Sequence, residues 1–266
     1  HDPNDFEVGK RHNLEEINIL NDDGTMNNKC GKYAGMDRYE ARKAMVEDLE
    51  KLGLLVKVVD HVHNVGTHDR CKTTVEPMIK PQWFVKMADM AAAASEAEKN
   101  GEVNFIPDRF SKIYQNWLNN IHDWCISRQR KWGVPIPIFF CKECGEAHID
   151  NDAMMAVADL FEKEGSNAWY SHTAAEILPK GTKCKKCGCT EFEKEKDIMD
   201  VWFDSGSSHA AVVSKRDNLK FPADLYLEGN DQYRGWFQSS LLTSVATEGV
   251  CLLYTSPSPR DKRQSR

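Results

Sequence analysis

Two cysteine pairs with the same spacing, each followed by glycine, constrain the fold of this chain more than any other feature. Cys141 and Cys144 lie in CKECG, and Cys184 and Cys187 lie in CKKCG. A C-x-x-C-G turn directs two sulfur atoms to one point, so two such turns can surround a zinc ion with four thiolates. Cys189 is an alternative ligand, because a Cys187/Cys189 pair could replace Cys184/Cys187. The other alternative is a set of reduced structural cysteines without a metal.

The distance between the two pairs is longer than in a compact zinc finger, so we expect a helix between them. The segment from Cys144 to Cys184 has room for that helix, and residues 152–164 have the pattern of one. We therefore expect a zinc-binding module over residues 141–192. Four thiolates leave no open coordination position, so the Zn2+ is expected to be structural and not catalytic.

The composition limits the class of protein. The chain has 266 residues, 41% hydrophobic and 29% charged, with a formal net charge of −6. That length allows one large domain or two smaller ones, and the charge gives no global attraction to RNA. No apolar run approaches the roughly 20 residues of a membrane span and no secretory leader is visible, so we expect a cytoplasmic protein without membrane contact. Since the chain opens on HDPNDFEVGKRHNL and not on Met, we expect it to be an internal segment of a longer protein.

Apolar periodicity predicts helices that alternate with short strands, which is typical of an α/β fold. The clearest helix covers residues 37–52, where Asp37 and Glu40 have capping-box spacing and Gly53 ends the helix. Further helices are predicted over residues 88–99, 110–122, 152–164 and 234–247, and strands over residues 54–60, 198–203 and 225–228.

Three longer stretches combine aromatic, charged and glycine residues in unusual order. They read DWCISRQRKWGVPIP at residues 123–137, DVWFDSGSSHAAVV at 200–213 and LEGNDQYRGWF at 227–237. Together they resemble the catalytic domain of the class I aminoacyl-tRNA synthetases for valine, isoleucine and leucine. The resemblance implies an α/β fold that comprises the end of a β-rich editing domain (1–80), a re-entry into the catalytic domain (81–140), the zinc ribbon (141–192) and the second half of a Rossmann-type nucleotide-binding domain (193–251).

The resemblance also implies which residues bind the aminoacyl-adenylate. Glu228 would contact the adenylate, and Gly229, Asp231 and Gln232 would approach its amino group and ribose. These residue types suit the chemistry, because an acidic group can hold the substrate's ammonium and polar groups can hold a ribose. A solvated turn is the alternative for each acid taken alone.

Two tryptophans are implied to enclose the pocket for the amino-acid side chain, namely Trp202 and Trp236. Ordinary core packing is the alternative for each of them. The motif departs from many relatives at Tyr233, where His is usual, and at Asn230, where Ser is common.

The implied reaction is ATP-dependent charging of valine or isoleucine onto tRNA(Val) or tRNA(Ile), with Mg2+ accompanying ATP and a monomeric parent enzyme. The HIGH-like and KMSKS-like segments that hold the ATP phosphates in this family are not found in the sequence. We therefore assign no catalytic residue and expect that the chain alone makes no adenylate.

HDPNDFEVGKRHNL resembles the end of the editing domain, which hydrolyses mischarged tRNA. By that resemblance, Asp5 would bind the ammonium of the wrongly attached amino acid, with Asp2 nearby. The alternative is that both acids cap a helix, which is common for D-x-x-D.

The two halves of the chain resemble different members of the family. Residues 1–129 resemble valyl-tRNA synthetases, whereas residues 130–250 resemble isoleucyl-tRNA synthetases, with the change inside DWCISRQ, a stretch that both share. The sequence therefore predicts a fragment of a valine enzyme, with an isoleucine enzyme as the alternative. We expect that recombination or misassembly joined the two halves near Gln129. The alternative is a natural enzyme with features of both. The tail, residues 252–266, resembles translated adapter sequence and is expected to be disordered. A hypothesis of a different functional class is that the chain is a non-catalytic zinc-ribbon module that binds RNA or protein.

Overall fold

The computed structural model describes residues 2–248 and 255–257. It divides into two units, His1–Pro81 and Gln82–Arg266. The first unit contains helix α1 (Pro3–His12), a 3-10 helix (Asn28–Tyr33) and helix α2 (Arg38–Lys51). No helix in the described ranges combines the length and the apolar character needed to cross a membrane.

A small apolar cluster holds the first unit together. Leu20, Met26 and Ala41 are buried in it. Arg38 Nε donates to Glu76 Oε1 at 2.7 Å, which fixes the start of α2 on a distant segment of the same unit. This small cluster and the Arg38–Glu76 bond thus link segments that are far apart in the sequence of the first unit.

The structure confirms the helix predicted over residues 37–52 but not its capping box. Asp37 Oδ1 accepts a hydrogen bond from the Tyr39 N–H at 2.8 Å, so Asp37 is the N-cap. A capping box would use the N–H of Glu40, the third residue of the helix. The strand predicted over residues 54–60 is wrong: these residues are irregular, and Val56 is 94% exposed.

The second unit mixes helices with short strands. Its helices are α3 (Ala88–Lys99), α4 (Arg109–Asn119), α5 (Asn151–Glu164), α6 (Ala168–Ser171), α7 (Ala174–Ile177), α8 (Val201–Gly206) and α9 (Trp236–Glu248). A π-helical turn spans His209–Val213, and a 3-10 helix spans Asn230–Arg234. Its strands are β1 (Phe84–Val85), β2 (Asn104–Ile106), β3 (Trp124–Cys125), β4 (Ser127–Arg128), β5 (Phe139–Cys141), β6 (Ala147–His148), β7 (Phe192–Lys194), β8 (Ile198–Met199) and β9 (Thr255–Pro257).

The strands form four small sheets. Strand β1 pairs with β3 and β4 with β8, both antiparallel, while β6, β5 and β7 form an antiparallel three-stranded sheet. Among the described residues, the one parallel ladder joins β2 to β9. Thr255–Pro257 belongs to the tail predicted to be disordered, and the other residues of that tail lie outside the described ranges.

An aromatic cluster forms the main core of the second unit. The ring of Phe105 on β2 lies 4.8 Å from Tyr114 of α4 and 5.8 Å from Tyr233. Tyr233 in turn meets Phe237 of α9 edge to face at 5.6 Å. Tilted and edge-on contacts of this kind suit the quadrupoles of the rings, and they join β2, α4 and α9. Helix α3 packs on the same core through its buried alanines.

Two predicted strands of this unit are wrong. The segment 198–203 holds strand β8 for two residues and then becomes α8, because Asp200 accepts a bond from the Trp202 N–H and caps the helix. Residues 225–228 are irregular. The helices predicted over 88–99, 110–122, 152–164 and 234–247 are present as α3, α4, α5 and α9.

Candidate metal centre and adenylate site

The four cysteines of the two C-x-x-C-G turns lie close together, although about forty residues separate the turns in the sequence. The Sγ atoms of Cys141 and Cys187 lie 3.4 Å apart, and those of Cys144 and Cys184 lie 3.6 Å apart. All four ligand atoms lie within 4.8 Å of one another. A tetrahedron with metal–sulfur bonds of about 2.3 Å has sulfur–sulfur edges of about 3.8 Å, so the cluster has the size that zinc requires.

Glycines shape both turns that carry these cysteines. Gly145 and Gly188 have φ of 69° and 78°, a region that other residues rarely adopt. The tight turn brings the Cys144 N–H onto the sulfur of Cys141, and this backbone bond is the main reason that the pKa of Cys141 falls to about 6. A thiolate is the form that binds metal, so this backbone bond favours ligation by Cys141.

Cys189 stands outside this cluster of four thiols. Its Sγ accepts a hydrogen bond from the Glu191 N–H at 3.3 Å. The arrangement therefore offers Cys184 with Cys187 as the second ligand pair, and the Cys187/Cys189 alternative has no geometric support in the described residues.

A separate apolar core supports the metal centre. Phe139 and Trp169 lie with ring centroids 5.1 Å apart, and both are almost fully buried. Helix α5 packs on this core through Ala153 and Val157, so the helix predicted between the two cysteine turns is present and shares an apolar core with Cys141 and Cys184. A zinc ion held by four thiolates inside such a core would have a structural role.

Four of the six predicted adenylate residues lie on the turn that leads into α9, namely Glu228, Gly229, Asp231 and Gln232. Gly229 precedes the 3-10 helix, and a Cβ at Gly229 would lie 2.5 Å from Asp231 Oδ1. Burial, and to a lesser extent the Asp231 carboxylate, raises the pKa of Glu228 above its usual range. A bound cation would offset both effects and lower the pKa of Glu228 again.

Gln232 has a structural partner in this turn. Its Oε1 accepts from the Trp236 N–H at 2.9 Å, and its Nε2 donates to Asp231 Oδ2 at 3.1 Å. The side chain therefore caps the start of α9 and orients the Asp231 carboxylate at the same time.

The two tryptophans that were expected to enclose one pocket have different neighbours. Trp236 donates from Nε1 to Ser205 O at 2.9 Å, and its ring lies 4.7 Å from Tyr226. Trp202 is 44% exposed and lines a neighbouring cavity of 390 Å3. Of the six predicted adenylate residues, Trp202 alone belongs to the lining of that cavity.

That cavity has a polar and aromatic lining that the sequence analysis did not assign. Arg128 Nη2 donates to Asp200 Oδ2 at 2.6 Å, and Trp124 Nε1 donates to the same oxygen at 3.0 Å. Further lining residues include Met87, Trp117, His122, Asp123, Arg234 and Gln238. Several of them come from DWCISRQ and QYRGW, so membership of these motifs was the available signal.

Asp2 has the capping role that was left open as an alternative. Its Oδ1 accepts hydrogen bonds from the N–H groups of Asn4 at 2.6 Å and Asp5 at 3.4 Å. Asp5 lies in the first turn of α1, where a negative charge favours the helix dipole.

Comparison with known proteins places these features in one family. The family model described as tRNA synthetases class I (I, L, M and V) matches residues 4–253. The chain is 49% identical to isoleucine–tRNA ligase of Thermoanaerobacter sp. (strain X514) over 249 residues, which cover 94% of the chain and 26% of that protein. It is 45% identical to valine–tRNA ligase of Clostridium perfringens (strain 13 / Type A), with 94% and 26% covered.

The chain spans about a quarter of the length of the curated relatives it matches. A LeuRS-tRNA-LeuAMS complex from Agrobacterium radiobacter K84 overlaps 52% of the chain and 20% of that structure, with 20% identity and a TM-score of 0.34, which supports no conclusion. The family match instead covers nearly the whole sequence, including all three motifs. The chain therefore belongs to the class I tRNA synthetases of the isoleucine, leucine, methionine and valine group.

Proposed function

We propose that this chain is part of an ATP-dependent ligase that charges tRNA with valine or isoleucine through an aminoacyl-adenylate. The observation that carries the proposal is the turn from Glu228 to Gln232 before α9, in which the Asp231 carboxylate contributes to the raised pKa of Glu228 and Gln232 donates to Asp231. It is supported by relatives of both specificities that match 94% of the chain.

In this proposal the turn binds the amino-acid end of the adenylate. The ammonium group lies between Glu228 and Asp231, where it offsets the burial of Glu228 and the repulsion between the two acids. Gln232 positions Asp231, and Gly229 leaves room for the ribose. Trp202 on α8 and Trp236 at the start of α9 limit the space for the aliphatic side chain.

The rest of the chain is assigned by the same proposal. Residues 1–80 are the end of an editing domain, in which Asp5 receives the mischarged amino acid beside Asp2. Residues 81–140 and 193–251 belong to the Rossmann-type catalytic domain. The thiolates of Cys141, Cys144, Cys184 and Cys187 hold a structural Zn2+ that stabilises the inserted ribbon. ATP with Mg2+ and tRNA(Val) or tRNA(Ile) are the substrates of a monomeric, cytoplasmic enzyme.

Titration calorimetry with non-hydrolysable adenylate analogues tests this proposal. We expect the chain to bind the isoleucyl or the valyl analogue, and the stronger of the two identifies the amino acid. Asp231→Ala should weaken binding, whereas Asp217→Ala, at an exposed acid in another loop, should not. A chain that binds neither analogue but binds RNA would instead support the zinc-ribbon binding module.

A further inference from the structure

Trp132 is almost completely exposed to solvent. Its exposed fraction is 95%, whereas tryptophan side chains are usually well buried because of their large apolar area. It lies at the tip of the loop 129–133, which we call the tip loop. The neighbouring Arg130 and Lys131 are exposed as well.

Both arms of the tip loop are fixed on strand β8. On the entering side, Ser127 pairs with Met199. On the leaving side, the Met199 N–H donates to Val134 O at 2.7 Å. A Cβ at Gly133 would lie 2.4 Å from Ile198 Cδ1, so the backbone passes very close to the strand. The loop that carries Trp132 is thus anchored to β8 at both ends, which lowers the entropy that a binding partner would have to remove.

The charges beside the ring are available to a partner. Arg128 is paired with Asp200 and lines the cavity that Trp202 also lines. In the described part of the chain, neither Arg130 nor Lys131 forms an ion pair. Two unpaired cations next to an open aromatic face suit a polyanion with stacking bases better than an apolar protein surface.

We propose that Trp132 is a stacking platform for an unpaired base of RNA, with Arg130 and Lys131 on the adjoining phosphates. The inference rests on the proposed function, because the tip loop begins at the rim of the candidate site and a tRNA ligase must bring a single-stranded RNA end there. It goes further by assigning that contact to one side chain.

The test uses the full chain and a fluorescein-labelled single-stranded RNA of eight nucleotides, followed by fluorescence anisotropy. Trp132→Ala should weaken binding roughly 5- to 100-fold, the range that loss of one base–aromatic stack produces. Trp132→Phe should retain most of the affinity. Tyr170→Ala, which removes another exposed aromatic ring (56%), should leave the affinity unchanged.

Salt dependence tests the two cations separately. In the double variant Arg130→Ala and Lys131→Ala, the slope of log affinity against log salt concentration should become shallower by roughly 1.4, about 0.7 for each lost phosphate contact on a single strand. An unchanged slope would remove both residues from the RNA contact.

Two results would overturn the proposal. They are equal RNA affinity of Trp132→Ala and the unaltered chain, and no RNA binding by the unaltered chain. Adenylate-analogue binding by Trp132→Ala keeps the two proposals apart: normal binding with unaltered RNA affinity rejects the stacking role alone.

Discussion

Asp200 links three parts of the candidate site through one buried carboxylate. It accepts from Arg128 and Trp124 at one oxygen, and from the N–H of Trp202 at the other. The Asp200 side chain is 7% exposed, while that of Arg128 is 41% exposed. The carboxylate therefore has no water to replace these donors, although solvent screens the pair from the arginine side.

Asp200→Asn should lower the free energy of unfolding by about 1–2 kcal/mol, since the amide keeps the helix cap but removes an acceptor from a charged donor. Urea unfolding followed by tryptophan fluorescence measures this change. Asp197→Asn is the control, because Asp197 accepts only from the neutral Gln129 amide at a more exposed position. A loss of equal size in both variants would contradict the role of the Arg128 pair.

The cysteine cluster allows a prediction about which thiols bind zinc. Cys187→Ser should reduce zinc affinity by roughly tenfold or more, because serine does not supply a thiolate and opens the closed shell. Cys189→Ser should keep about one zinc per chain, since its sulfur lies outside the cluster. Elemental analysis of the purified variants decides the point. Loss of zinc from Cys189→Ser would restore the alternative ligand pair.

Helices α8 and α9 touch through a glycine. A Cβ at Gly206 would lie 3.0 Å from the backbone carbon and oxygen of Ser239, and Thr243 Oγ1 donates to Gly206 O at 2.9 Å. Backbone atoms of a packed helix cannot move away as a flexible side chain can. The close contact places Trp202 on α8 and Trp236 on α9 at a fixed separation.

Gly206→Ala should therefore lower the stability of the second unit by about 1–3 kcal/mol through overpacking. All seven tryptophans lie in that unit, so their fluorescence during urea unfolding follows it alone. Ser205→Ala, one residue away on the same helix, should change stability by less than about 0.5 kcal/mol. An unchanged unfolding midpoint of Gly206→Ala would show that the two helices can move apart without a loss of stability.

Elements with local determinants were predictable, whereas strands were not. Helix α3 spans the predicted residues because an alanine-rich segment forms its own hydrogen bonds. The segment 54–60 has β-branched residues but no neighbouring strand to pair with, so it stays irregular. In residues 198–203, the N-cap formed by Asp200 starts a helix, and the apolar pattern alone did not predict that helix.

At the scale of the whole molecule, residues on either side of Gln129 interlock. Trp83 Nε1 donates to Glu195 Oε2 at 2.7 Å, and Gln129 Nε2 donates to Asp197 Oδ2 at the same distance. A recombined chain would keep these pairs when both parents supply the same partners. The separate origin of residues 1–129 and 130–250 stays a prediction.

The purified chain should give no ATP–pyrophosphate exchange above background with valine or isoleucine. The reason is that the segments implied to hold the ATP phosphates are not found among its 266 residues. Exchange measured at saturating amino acid, with a complete isoleucine–tRNA ligase as positive control, tests this expectation. Activity that depends on Asp231 would mean that other groups in the chain hold the phosphates.

The sequence by itself determined the family, the cysteine turns and the longest helices, because each depends on residues close together in the chain. Only the tertiary structure decided which thiols meet, since Cys144 and Cys184 come together across forty residues. It also decided that Gln232 accepts from the first N–H of α9, that Trp202 lines the cavity, and that Trp132 is exposed. Those outcomes depend on which surfaces distant elements bury against each other, and no local pattern encodes that choice.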